Sequence, residues 1–171
     1  KSLDILSEVP ILFAKAQLKA GADAIVWADH ATGDLIRNTM YRDFLLWRHQ
    51  ELVPRVDAPV ILHCCGKSLD RIEFFRETGF DMYHFESANE AEKMVEGADG
   101  KIRLAGNINN PQTLMQQGPD EVRVEVQRAI DAGVDIIAPE CAVPLQTPVR
   151  NLQTIVEVCR ENRREPVHHP A

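Results

Sequence analysis

The sequence has no long apolar run and few cysteines, and both absences limit where the protein can work. No stretch approaches the ~20 apolar residues that span a bilayer, and the first residues do not follow a signal-peptide pattern. The four cysteines, two of them adjacent, do not resemble a secreted disulfide framework. A reducing, cytoplasmic location without a membrane partner is therefore expected.

The chain also lacks an excess of positive charge and lacks flexible linkers. Its net charge of −7 argues against nucleic acid or an anionic membrane as the main partner. No low-complexity segment or Gly/Ser linker divides the chain, and a hydrophobic content of 44% allows a substantial core. We predict one domain over residues 1–162, followed by a loose C-terminal tail over residues 163–171.

One local pattern occurs three times along the chain. Gly21, Gly79 and Gly133 each close a helix-forming segment, and each is followed two residues later by an aspartate and then by an apolar segment. Glycine adopts the left-handed conformation at a helix end without steric cost. Each copy therefore predicts the end of a helix and the start of a strand.

The whole chain alternates predicted strands and helices. The five predicted strands are residues 24–28, 59–65, 82–85, 101–105 and 136–138. The predicted helices are residues 11–20, 34–53, 68–78, 88–96, 111–117, 119–132 and 148–161. The predicted N-caps of three of these helices are Ser68, Asn110 and Thr147.

This alternation predicts an α/β fold with parallel strands and helical crossovers. A closed (β/α)8 TIM barrel takes about 250 residues, so this chain is too short to form one alone. We predict the C-terminal five βα units of such a barrel, a partial barrel that an N-terminal segment or a second chain completes. A complete five-stranded doubly wound domain is the alternative.

Residues 58–66 form a short apolar run that ends in three side chains able to bind a metal. Side chains alternate along a strand, so His63 and Cys65 project to one face and Cys64 to the other. An imidazole and a thiol two residues apart can bind one zinc ion. The alternative is a buried histidine beside two core cysteines.

Every predicted strand is followed by polar or metal-binding residues, at the end where α/β barrels bind ligands. The residues in question are Asp29, His30, His63, Cys65, Glu86, Asn107 and Cys141. Alternation allows Glu86 to point into the mouth, where it would join His63, Cys65 and Cys141 as a weaker, displaceable zinc ligand. Alternatively, Glu86 interacts with the dipole of the helix that follows it.

Three motifs carry a resemblance to a known family. They are residues 62–66 (LHCCG), residues 106–111 (GNINNP) and residues 139–144 (PECAVP) with Thr147-Pro148. Over residues 22–162 the chain resembles the C-terminal half of the uroporphyrinogen decarboxylase superfamily. His63 and Cys65 with the distant Cys141 resemble, more narrowly, its zinc-dependent methylcobamide:coenzyme M methyltransferase branch.

The same order of ligands is similar to the zinc set of cobalamin-independent methionine synthases, which favours Glu86 over Glu140 as the acidic ligand. Cys64 and Glu140 depart from the family pattern, in which a small or apolar residue and a glycine are expected.

The resemblance implies a zinc-dependent methyltransferase. Such an enzyme moves a methyl group from a methylated corrinoid (methylcobalamin), carried by a partner protein, to a small thiol such as coenzyme M. Glu86 would loosen as the substrate sulfur arrives, while Asp29, His30 and Asn107 would line the mouth and bind substrate or corrinoid. The alternatives are a decarboxylase-like lyase that uses Asp29 on a tetrapyrrole, and a non-catalytic half-barrel with a structural zinc.

Overall fold

A computed structural model describes residues 2–163 and contains all five predicted strands. The strands are β1 (Ile25–Ala28), β2 (Val60–His63), β3 (Met82–His84), β4 (Arg103–Ile108) and β5 (Ile136–Pro139). They form one parallel sheet in the order β1-β2-β3-β4-β5. A doubly wound sheet reverses its strand order, so that alternative is wrong and the partial (β/α)8 barrel is confirmed.

Helices connect the strands along the chain. They are α1 (Ser2–Leu6), α2 (Glu8–Lys19), α3 (Asn38–Tyr41), α4 (Trp47–Leu52), α5 (Ile72–Phe75), α6 (Ala91–Ala98), α7 (Pro119–Ala132) and α8 (Val149–Glu161). Two π-helical segments, Arg42–Leu46 and Asn110–Leu114, and two 3-10 turns, Val53–Arg55 and Leu69–Arg71, extend them. No helix among residues 2–163 combines the length and the apolarity needed to cross a bilayer.

The three predicted helix caps differ from those in the structure. Ser68 does not cap its helix, since its hydroxyl is hydrogen-bonded to the Tyr83 hydroxyl. Asn109, rather than Asn110, caps the segment after β4 by accepting the backbone N–H of Gln112 at 2.7 Å. Thr147 makes no cap, and α8 begins after Pro148 without a side-chain cap bond.

The core lies on one face of the sheet. Ile25 is 4% exposed and packs into this core, whereas its neighbour Val26, on the opposite face, is 61% exposed. Leu62, Tyr83 and other alternate residues share the buried face with Ile25. Among the described residues, β1 and β5 each pair on one side only.

The domain boundary after residue 162 stays a prediction. Helix α8 ends at Glu161. Except for Arg163, the predicted tail over residues 163–171 lies outside the described residues.

Candidate metal centre

The centre begins at the end of β2, where successive side chains point to opposite faces. Cys64 lies in the core and is 1% exposed. His63 and Cys65 share the other face, with the His63 Nε2 atom 3.2 Å from the Cys65 Sγ atom. The predicted alternation of the three residues is therefore observed.

Cys141, which follows β5, completes a group of three donors. Its Sγ atom lies 3.5 Å from the Cys65 Sγ atom and 3.5 Å from the His63 Nε2 atom, although 78 residues separate it from His63. These three atoms all lie within 4.8 Å of one another. Among residues 2–163 this is the one group of three or more histidine, cysteine or acidic side chains so arranged.

The donor set fits zinc in both chemistry and spacing. One nitrogen and two sulfurs are ligands that zinc prefers, and donors on a tetrahedral zinc lie about 3.5 to 3.8 Å apart. The Nδ1 atom of His63 is buried and has no hydrogen-bond partner among the described residues. The Nε2 atom, which faces both sulfurs, is therefore the atom of this imidazole that could bind a metal.

Burial controls the protonation of the metal-free group. Burial, the contact with Cys141 and the Glu86 carboxylate raise the pKa of the Cys65 thiol to about 12, so the metal-free sulfur stays protonated at neutral pH. Burial and the neighbouring His84 lower the pKa of His63, which favours the neutral imidazole that binds metals. Metal coordination deprotonates a thiol and thus reverses the effect on Cys65.

Glu86 lies beside the donor group but outside it. Its Oε2 atom accepts the backbone N–H of Gly66 at 2.7 Å, and its charge acts on Cys65. Helix α6 begins at Ala91, so Glu86 precedes the first turn and the helix-dipole alternative loses its support. The role of Glu86 as the fourth ligand stays a prediction.

Asp29 and His30 follow β1, and their side chains lie in different environments. The Asp29 carboxylate does not contact the three-donor group. Its Oδ2 atom lies 3.4 Å from the His49 Nε2 atom, and its Oδ1 atom accepts the backbone N–H of Ala31. His49 in turn is hydrogen-bonded to the Tyr41 hydroxyl at 2.7 Å. His30 is exposed, and its charge contributes to the lowered pKa of His63.

Asn107 is buried rather than open to the mouth. Its Nδ2 atom donates to the Asn89 carbonyl oxygen at 3.2 Å. The preceding Gly106 has φ +134°, and a Cβ atom there would lie 2.4 Å from the Phe85 carbonyl oxygen. The binding roles predicted for Asp29, His30 and Asn107 remain predictions.

Two residues near the three donor side chains were not predicted as site residues. His84 Nε2 donates to the Pro139 carbonyl oxygen at 2.8 Å, and its ring centroid lies 4.7 Å from that of His63. Glu140 is 6% exposed and accepts two backbone N–H groups. The available signal was a single charged residue between Pro139 and Cys141 in an otherwise apolar run.

Comparisons with known proteins show that this chain is similar to methyltransferases. The chain is 34% identical to methylcobamide:CoM methyltransferase MtaA of Methanosarcina barkeri, over 91% of this chain and 47% of that protein. It is 28% identical to a methylated-thiol–coenzyme M methyltransferase of Methanosarcina mazei, over 93% of this chain and 43% of that protein. A solved structure, a methyltransferase from Methanosarcina mazei, matches with a TM-score of 0.89 and 33% identity, over 94% of this chain and 48% of that one.

The chain thus spans about half the length of the curated relatives it matches. The family model for uroporphyrinogen decarboxylase (URO-D) matches residues 1–162. Because this match covers nearly the whole sequence, the chain belongs to the uroporphyrinogen decarboxylase (URO-D) family.

Proposed function

We propose that this chain carries the metal centre of a zinc-dependent methyltransferase. The enzyme would move a methyl group from a methylated corrinoid to a small thiol such as coenzyme M. The single observation that carries the proposal is the convergence of His63, Cys65 and Cys141, from β2 and from beyond β5, at the carboxyl end of the sheet. The names of the relatives, which refer to methylcobamide, methylated thiols and coenzyme M, support the substrate classes.

Three side chains would hold the ion. When bound, zinc would lower the pKa of the substrate thiol. The thiolate would then take the methyl group as the cobalt–carbon bond of the corrinoid breaks, with the electron pair of that bond staying on the cobalt. Cys65 and Cys141 contribute two negative charges, and Glu86 adds a third beside them, so the donors leave the substrate sulfur electron-rich. Glu86, held by the Gly66 N–H, would be the fourth and displaceable ligand.

The remaining predicted residues would act around this centre. His30, which is exposed near His63, would contact the polar tail of the thiol or the corrinoid. Asp29 would affect substrate binding through His49, the histidine that it contacts. Asn107 would affect substrate binding through the backbone of Asn89, to which it donates a hydrogen bond.

The proposed partners follow from the chemistry and from the length of the chain. A corrinoid is bulky and would be delivered by a protein that docks at the mouth. The rest of the barrel would come from an N-terminal segment or a second chain, since the relatives are about twice as long. A reducing, cytoplasmic location suits the four free thiols.

A decarboxylase-like lyase is the second candidate, and the family name favours it. It would need no metal, whereas the methyltransferase needs the three donors intact. A structural zinc would need four protein ligands, and the group among the described residues has three.

The deciding experiment measures zinc content together with methyl transfer from free methylcobalamin to coenzyme M and other small thiols. We expect one zinc per chain and methyl transfer that a chelator abolishes and added zinc restores. Full decarboxylase activity after metal removal would favour the lyase. Tight zinc without any response to thiols would favour the structural role.

A further inference from the structure

Glu140 is a buried carboxylate that the proposed reaction does not use. Its Oε2 atom accepts the Ser87 N–H at 2.8 Å and its Oε1 atom accepts the Asn110 N–H at 2.9 Å. Ser87 follows β3 and Asn110 follows β4, so one side chain joins the ends of two strands to the end of β5. This carboxylate immediately precedes Cys141.

The backbone on both sides of Cys141 is fixed by further hydrogen bonds. On the near side, His84 donates to the Pro139 carbonyl, and the Glu140 N–H donates to the Ile108 carbonyl at 2.9 Å. On the far side, Asn110 Nδ2 donates to the Ala142 carbonyl at 2.9 Å. Cys141 therefore lies in a loop whose position depends on contacts with β3 and β4.

The charge of Glu140 also calls for an explanation. No lysine or arginine among residues 2–163 forms an ion pair with it, although it is 6% exposed. A buried charge without a counter-ion is costly. The two backbone N–H groups whose hydrogen bonds Glu140 accepts offset part of that cost.

We infer that Glu140 is a positioning residue of the metal centre. By accepting the N–H groups of Ser87 and Asn110 it fixes the backbone that carries Cys141. It thereby sets the Cys141 sulfur 3.5 Å from the Cys65 sulfur. The inference rests on the proposed metal centre, and it assigns a role to a side chain that is not a ligand.

The test compares Glu140→Gln and Glu140→Ala with Asp135→Asn, a matched control at the other end of β5. Asp135 Oδ2 accepts the Leu104 N–H at 2.8 Å, so it also joins β5 to β4 through a backbone bond, but at the edge far from Cys141. The Gln variant keeps the size of the side chain and folds even if the Ala variant does not. In Glu140→Gln, one of the two backbone N–H groups, of Ser87 or Asn110, faces an amide NH2 group instead of a carboxylate oxygen.

The first measurement is metal binding to the whole chain, at a temperature well below unfolding. We expect zinc affinity, measured by chelator competition, to fall about 10-fold in Glu140→Gln and up to about 100-fold in Glu140→Ala. The sulfur-to-metal charge-transfer band of bound Co²⁺ should weaken in both variants. Asp135→Asn should lower thermal stability and leave affinity and spectrum unchanged.

The second measurement needs no metal. Phenylarsine oxide bonds two nearby thiols through its arsenic and releases water, so its affinity for the metal-free chain reports the distance between Cys65 and Cys141. We expect the affinity to fall about 10-fold or more in the Glu140 variants, with Asp135→Asn equal to the unmodified sequence.

The two measurements separate the inference from the proposed function. If the unmodified chain binds no zinc but binds the arsenical in a Glu140-dependent way, the metal function fails and the positioning role stands. If both ligands bind the Glu140 variants within about threefold of the unmodified chain, or if Asp135→Asn weakens them equally, the positioning role is overturned.

Discussion

Cys64 and Cys65 are adjacent residues with opposite environments. The Cys64 thiol lies in the core, where burial raises its pKa to about 12. The Cys65 thiol lies with His63 and Cys141 on the other face of β2. This difference comes from the two-residue period of a strand, and it provides a paired test within two positions of the sequence.

We expect Cys65→Ser and Cys141→Ser each to abolish stoichiometric zinc, because a serine hydroxyl is a poor ligand at neutral pH. Cys64→Ser should retain one zinc while losing about 1 to 3 kcal/mol of unfolding free energy, since it buries a hydroxyl in the core. Metal analysis and denaturant unfolding measure the two effects. Equal zinc loss in all three variants, or in none, would contradict the assignment.

Glu86 is expected to leave the metal when a thiol binds. Zinc X-ray absorption of the resting protein should show two sulfurs, and addition of coenzyme M should raise the count to three while one oxygen is lost. Glu86→Gln should bind the thiol with the same sulfur count, because the amide is a weaker ligand and yields more readily. A sulfur count that does not change on thiol addition argues against catalysis.

At the scale of elements, the contact between His49 of α4 and Asp29, which directly follows β1, joins the helix layer to the end of the sheet. His49 is 4% exposed, and its Nδ1 atom is hydrogen-bonded to Tyr41. Burial lowers the pKa of His49, although the charge of Asp29 opposes the shift. The folded chain therefore resists protonation of this ring.

Stability should consequently decrease as the pH falls below about 6.5, the ordinary pKa of an unfolded histidine. In that range the unfolded chain takes up a proton that folded His49 does not, until the pH reaches the lowered pKa of the folded state. His49→Gln should remove up to about 1.4 kcal/mol per pH unit from the slope. Urea unfolding at pH 7.5, 6.5 and 5.5 measures this, and equal slopes in both proteins would refute it.

The strands were easier to predict than the helix ends. Gly79 and Gly133 marked strand starts correctly because a left-handed residue after a helix is a local requirement. Ser68 failed as a cap because a tertiary contact gives its hydroxyl a competing partner, whereas the buried Thr147 hydroxyl has no hydrogen-bond partner among the described residues. The Ser68 hydroxyl is hydrogen-bonded to the hydroxyl of Tyr83, a residue 15 positions away, and no local sequence pattern predicts this pairing.

The candidate metal site was predictable to the extent that it depends on the alternation of side chains along a strand. His63 and Cys65 follow from spacing alone, and Cys141 from its place after a strand. The direction of Asp29 was not predicted. It depends on the strand register, in which Ala28 aligns with His63 and the next residue faces the helices. Glu140 could not be deduced, since its partners are backbone N–H groups that every residue except proline carries.

At the scale of the whole molecule, the sheet has one covered face and one open face. Val26 of β1 is 61% exposed on the open face, and Phe13 of α2, which is 65% exposed, lines a groove beside the same strand. Among residues 2–163 the outer edge of β1 has no partner strand. An unpaired edge next to exposed apolar side chains favours association with another chain.

We therefore expect the 171-residue chain to self-associate as its concentration rises, and Val26→Lys to suppress this, because lysine on an edge strand blocks pairing. The matched control is Val124→Lys on α7, where the valine is 70% exposed and so equally accessible. Sedimentation velocity over a concentration series measures the association. Both substitutions should change the free energy of unfolding by no more than about 0.5 kcal/mol. Equal suppression by the two variants would show that general surface charge, rather than the free edge of β1, controls association.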